Sequence, residues 1–163
     1  ANPAAYRLLD ELVEAHSPSL GPSLNAHRIV LHPEGIRPRT ENWAQVAANV
    51  LQRLEREQAH RPADDALADL LAEILTYPDL AELRRSTELP TGSDLLVTMR
   101  AAGRSGDDLR LVSTIATIGA PYDVTLDELR LETFFPGDAP TAAVLARWHG
   151  DQAVDQTGVG ETD

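Results

Sequence analysis

Cysteine and lysine are both missing from this chain: all 14 of its basic residues are arginine. The first absence excludes disulfides, thiolate metal sites and thiol nucleophiles. The second excludes Schiff-base chemistry and the phosphate-gripping lysines of Walker and kinase sites. Long apolar runs are missing too. Although 42% of the residues are hydrophobic, no stretch approaches the ~18 needed to span a bilayer. The opening Ala1-Asn2-Pro3-Ala4-Ala5 has neither a basic n-region nor an apolar h-region. The expectation is therefore a cytoplasmic protein with no membrane partner.

Positive charge is scarce as well. Against 14 arginines stand 26 acidic residues, for a net charge of −12. Nucleic-acid binding draws its affinity from clustered cations that displace counterions, so this chain is not expected to hold DNA itself. At 163 residues it has the length of one domain, enough to bury a core and a small-molecule cavity within it.

Apolar positions Leu8, Leu9, Leu12 and Val13 recur at helical spacing between Ala4 and Ala15. Ser17 to Ser23, with two prolines and a glycine, is expected to be an exposed connection. In Asn25 to Pro33 the short run Ile29-Val30-Leu31 fits a strand or a helix equally, and periodicity leaves the choice open. Asn42 and Gln45 have capping-box spacing. Trp43, Val46, Ala47, Val50, Leu51 and Leu54 then mark one face of a helix reaching about His60. Asp64 is placed to cap a second helix bearing Leu67, Leu70, Leu71, Ile74 and Leu75, and Pro78 to start a third with Leu80 and Leu83.

After Pro90 the period changes. Leu95 to Ala101 alternates, Gly103 to Asp108 supplies turn residues, and Leu109 to Ile118 returns as a β-rich run. Leu129 to Phe135 alternates as a third strand, and Asp138 with Pro140 opens a last helix through about Trp148. Helices gathered early and strands gathered late indicate an α+β fold. The expected division is a domain over 1–149 and a disordered tail over 150–163, where apolar residues become few.

Three stretches are more particular. Asn2-Pro3-Ala4-Ala5 precedes the first helix. Asn25-x-x-Arg28-x-x-Leu31-His32-Pro33-x-Gly35-x-x-Pro38-Arg39 is followed by Asn42-Trp43-x-x-Val46-Ala47. The third runs Ser113-Thr114-x-Ala116-Thr117-x-Gly119-x-Pro121-x-Asp123-Val124-Thr125-Leu126-x-Glu128-Leu129, then Glu132-x-Phe134-Phe135-Pro136-x-Asp138. Together, from the start to about Leu145, they resemble the MmyB-like transcription regulator ligand-binding domain. The resemblance implies a PAS-like antiparallel sheet with helices packed on one face, following an N-terminal helix-turn-helix DNA-binding domain in a bacterial XRE-family regulator. Relative to that pattern the chain lacks the DNA-binding part and the two strands that normally precede the Asn-Pro motif. DNA is thus a partner only through a domain absent from this chain.

The resemblance also implies regulatory sensing; the mostly aliphatic residues available for a pocket, with an arginine-histidine pair upstream, lead to the expectation of a small hydrophobic or fatty-acid-like ligand, sensed by a homodimer. The ligand's polar end is expected near Arg28 or His32. Trp43, Val46 and Val50 would form one wall, and the hydroxyls of Ser113, Thr114 and Thr117 the other. Each residue has a plainer account. Any amphipathic helix shows the stripe of Trp43, Val46 and Val50, and Arg28 and His32 could simply bond backbone carbonyls or an acid. Asp64, Asp65, Asp69 and Glu73 fit a solvated helix face, and Asp123 with Thr125-x-x-Glu128 fits a fastened turn. No metal or cofactor is expected: His16, His27, His32, His60 and His149 have no ligand spacing on one element. A catalytic role is not expected either. The alternatives are a ligand-free dimerisation module and a small α+β enzyme pairing His32 with Asp123.

Overall fold

The computed structural model describes residues 3–13, 25–86, 98–118 and 129–157, with the backbone alone described for 86, 115–118, 129–131 and 150–157. The elements run α1 (Pro3–Leu12), α2 (Ala26–Leu31), a 3-10 turn (Arg37–Arg39), α3 (Trp43–His60), α4 (Asp65–Ile74) and α5 (Leu80–Ser86). Then come β1 (Thr98–Ala102), β2 (Asp108–Ile118), β3 (Leu129–Pro136) and α6 (Ala139–Thr157). This is the α+β class expected from the order of periods. The connection over 17–23, the break at Gly119-Ala120-Pro121 and the turn holding Asp123 and Thr125-x-x-Glu128 lie outside the described residues, as does 158–163.

The strands form one antiparallel sheet in the order β1-β2-β3. Met99 pairs with Leu111 and Ala101 with Leu109, so period-two alternation puts all four on one face, where they are buried. Their neighbours Thr98, Arg100, Asp108 and Arg110 are exposed on the other face. The β1–β2 turn closes with Gly103 N–H on the Asp107 carbonyl at 2.8 Å, and Gly106 supplies a φ of 87°.

Two apolar clusters fill the interior. One, against the sheet, joins Leu8 and Leu12 of α1, Val46 of α3, Met99, Leu109 and Leu111 of the strands, and Val144 and Trp148 of α6. The other lies among helices and joins Leu31, Trp43, Ala47, Leu51, Leu54, Ile74 and Leu80. Leu31, Leu54, Ile74 and Leu80 are fully buried, each contributing roughly 1.5–3 kcal/mol of hydrophobic stabilisation. Helix α2 serves both clusters, through Ile29 in the first and Leu31 in the second.

Several local expectations change. Helix α1 stops at Leu12 rather than Ala15 because the β1–β2 turn receives its end: Arg104 donates from its backbone N–H to the Glu11 carbonyl (2.9 Å) and from its guanidinium to the Val13 carbonyl (2.7 Å). The Asn42–Gln45 capping box does not form. The Asn42 carboxamide instead accepts from Arg100 N–H (2.9 Å) and donates to the Thr98 carbonyl (2.8 Å), which fastens the start of α3 to the edge of β1. Asp64 does cap α4, accepting from Leu67 N–H at 3.0 Å. Helix α5 begins two residues after Pro78, because Asp79 holds a φ of 69° and the Pro78 carbonyl turns to Arg37. Helix α6 runs on past Trp148 to Thr157.

The docking of α6 shows how the end of the β2–β3 ladder is satisfied where β3 stops at Pro136. Gly137 N–H reaches the Arg110 carbonyl at 2.7 Å, and the fully buried Thr141 hydroxyl accepts from Arg110 N–H at 2.9 Å. Thr141→Val keeps the shape but strands that N–H. The expected loss is about 1–3 kcal/mol, measured as a lower urea midpoint at unchanged m-value.

Candidate functional site

Six residues make too short a helix to persist alone in water, so α2 depends on its surroundings. The Asn25 side chain caps its start, accepting from His27 N–H (3.0 Å) and Arg28 N–H (3.2 Å). The Trp43 indole N–H holds the Val30 carbonyl at 2.9 Å. Beyond the helix the chain folds back tightly, with Ile36 N–H on the Ile29 carbonyl and Gly35 N–H on the His32 carbonyl, both 2.9 Å. These contacts settle the open choice at Ile29-Val30-Leu31 in favour of helix.

So anchored, α2 presents Arg28 to the last turn of α4. Arg28 Nε donates to Glu73 Oε1 at 2.9 Å and Nη2 to Oε2 at 2.6 Å, a bidentate fork. The Tyr77 hydroxyl donates to the same Glu73 Oε1 at 2.5 Å. The His32 ring meets Tyr77 edge to face, 4.9 Å between centroids, and its Nδ1 accepts from Glu34 N–H at 3.1 Å, leaving Nε2 as the donor nitrogen. A second arginine strengthens the junction. Arg37 pairs with Asp79, donates to the Pro78 carbonyl at 3.1 Å, and lies 4.1 Å over the Trp43 ring.

The charges in this cluster are fixed by their neighbours. The Arg28 hydrogen bond, then that of Tyr77, holds the Glu73 carboxyl down at about 2 against the opposing effect of burial. Burial, followed by the hydrogen bond to Glu73 and its charge, pushes Tyr77 up to about 12. Arg28 is raised chiefly by its hydrogen bond to Glu73. Glu73 is thus ionised and Tyr77 protonated across the neutral range, which suits an electrostatic tie better than proton transfer. Because its folded pKa is depressed, Glu73 contributes fully above its ordinary value of 4.5, and that contribution fades as pH falls through about 2. A carboxyl-carbon NMR titration is expected to give a Glu73 midpoint near 2 in the native protein, moving up toward the ordinary carboxylate range in Arg28→Met.

Of the sequence candidates, the fold brings Arg28, His32 and Trp43 into one neighbourhood. Trp43 and Val46 are buried, in the helical and sheet-side clusters respectively, and Val50 packs against both. Ser113 lies on the same sheet face as Leu109 and Leu111 and is half-buried, whereas Thr114 is exposed on the opposite face. Thr117 pairs by its backbone with Arg130. Among the described side chains, neither Ser113 nor Thr114 takes part in the hydrogen bonds of the Arg28 cluster. Asp123, the other half of a His32–Asp123 pair, lies outside the described residues.

Glu73 and Tyr77 are the members that sequence reasoning missed. Asp65 and Asp69 are exposed as a solvated face requires, but Glu73, in the final turn, faces α2 and is paired. Its i,i+4 spacing to Tyr77 is a visible signal, although Arg28, 45 residues away, is not.

The described residues thus form a small antiparallel sheet with helices packed on one face, an α+β domain with an ionic junction between α2 and α4. Among the described residues no group of histidine and acidic side chains is arranged to hold a metal, and no helix is long and apolar enough to cross a membrane. The family model described as the MmyB-like transcription regulator ligand binding domain matches residues 1–147. The chain belongs to that family. No curated protein matches it, and neither does any solved structure.

Proposed function

We propose that this chain is the sensing domain of a helix-turn-helix transcription regulator and binds a small hydrophobic acid resembling a fatty acid. Membership of a ligand-binding-domain family supports regulation by a ligand. The observation that carries the choice of an acid is the Arg28 fork, already shaped around a carboxylate at the border of two apolar clusters. The acid end sits at Arg28 with His32 beside it, and the tail runs along Trp43, Val46 and Val50 toward the strand of Ser113, Thr114 and Thr117. DNA is contacted by a separate N-terminal domain, in keeping with the net charge of −12 here. The sheet and helices are compatible with a PAS-like fold. The chain is assigned no reaction, and the regulator acts as a cytoplasmic homodimer.

Signalling is a population shift: ligand favours one packing of α2 on its neighbours, which alters the dimer and the spacing of the DNA-reading domains. Helix α2 suits that role because it contributes to both clusters. Denaturing extraction followed by mass spectrometry is expected to release one hydrophobic acid per chain. Adding that acid at about 100 times its Kd should stabilise the fold by about 2.7 kcal/mol. An empty protein whose melting temperature does not respond to fatty acids would overturn the proposal.

A further inference from the structure

We infer that Glu73 is the resident occupant of the acid site: the carboxylate of an incoming ligand displaces it from Arg28 and Tyr77, and the exchange unties α2 from α4. The inference rests on the sensing function proposed above and adds how the ligand is admitted and read. Three donors from two parts of the chain, Arg28 Nε, Arg28 Nη2 and the Tyr77 hydroxyl, converge on one carboxylate. Such a socket recognises the group and not the residue that carries it. The ligand class is therefore a carboxylic acid, not its ester or alcohol.

Exposure makes the exchange feasible. The Glu73 side chain is 38% exposed and that of Arg28 26%, so the glutamate can swing into water without crossing the core. The displaced charge is then solvated, while Arg28 and Tyr77 keep a carboxylate partner. No buried charge is left alone at any stage. One carboxylate enters and one leaves, so the polar exchange is nearly balanced and net affinity comes from burying the ligand's tail. The second staple, Arg37 to Pro78 and Asp79, involves none of these atoms and stays in place. Loss of the Arg28–Glu73 tie thus frees one attachment between the α2 region and the α4–α5 region, while the Arg37 staple, the His32–Tyr77 contact and the packing of Leu31 with Ile74 and Leu80 remain as a pivot.

The test compares tetradecanoic acid with its methyl ester by calorimetry on the 163-residue chain and its Glu73→Gln variant. Glutamine removes the competing charge, so the acid is expected to bind at least about tenfold tighter to the variant, with ester affinity unchanged. In the native chain, saturation with acid should raise the NMR titration midpoint of the Glu73 carboxyl from about 2 toward the ordinary range, and saturation with ester should not. This second readout does not depend on how the variant folds. If acid binds while the Glu73 midpoint stays near 2, or if the variant changes acid and ester affinity alike, the exchange is wrong and the sensing function stands. If neither probe binds either protein, both are overturned.

Discussion

Gly35→Ala is expected to destabilise the protein by roughly 2–4 kcal/mol and to abolish ligand-induced stabilisation. A Cβ at this position would lie 2.0 Å from the Ile29 carbonyl oxygen, 2.9 Å from the Ile29 carbonyl carbon and 3.2 Å from the His32 carbonyl oxygen. All three are backbone atoms, so no rotamer change relieves the contact. The chain must open between His32 and Ile36, which breaks the two bonds that return it onto α2 and withdraws Ile36, only 3% exposed, from the sheet-side cluster. Arg28 and His32 lose their setting together. Gly106→Ala makes the matching control: a Cβ there meets nothing within 4 Å, and only the φ of 87° is unfavourable. Its cost should be about 1–2 kcal/mol. Urea unfolding of both variants ranks the two effects, and equal losses would contradict the steric account.

The second large effect is expected at Glu11, whose side chain is 6% exposed and yet charged. Ser105 donates to it from its backbone N–H at 2.8 Å and its hydroxyl at 2.7 Å, and Arg7 approaches to 3.2 Å. This one side chain ties α1 to the β1–β2 turn. Glu11→Ala removes both Ser105 hydrogen bonds and the Arg7 pair and leaves a void at the buried end of α1, for an expected loss of about 2 kcal/mol. Glu11→Gln keeps the shape but not the charge and should lose less. Burial alone would push the Glu11 pKa up, but the Ser105 hydrogen bonds and the charges of Arg7 and Arg104 outweigh it and bring it below 4.5. The stabilisation from its charge is therefore complete above the unfolded value and lost as pH falls through the lower folded one. The stability difference between the native chain and Glu11→Gln should shrink between pH 7 and pH 3. A difference that stayed constant would mean that the charge of Glu11 contributes nothing.

What could be read from the sequence was what depends on near neighbours. The stripe from Trp43 to Leu54 repeats with the period of a helix, and the run over Leu109 to Ile118 has the β-rich composition of a strand. Helix α3 and strand β2 stand where those signals place them. Asp64 was legible as a cap because its bond reaches only three residues along. At Ile29-Val30-Leu31 the sequence was silent, since three adjacent apolar residues carry no period. The helix forms there because Ile29 and Leu31 must enter two clusters built by other elements. At Asn42 the local pattern misled: a carboxamide able to cap α3 found backbone partners on β1 instead, 56 and 58 residues away.

The site divides in the same way. The motif running from Asn25 to Arg39 and on to Ala47 marked the family and singled out Arg28, His32 and Trp43. Composition excluded lysine and thiol chemistry and argued against DNA contact. The partner of Arg28 was fixed only by the packing of α2 against α4, and the partner of Glu11, 94 residues distant, only by the docking of α1 on a β-turn. An arginine or a glutamate in sequence shows a charge but not what neutralises it. Burial and the meeting of distant elements decide that, and here they turn a glutamate on an apparently solvated face into the carboxylate that occupies the arginine fork.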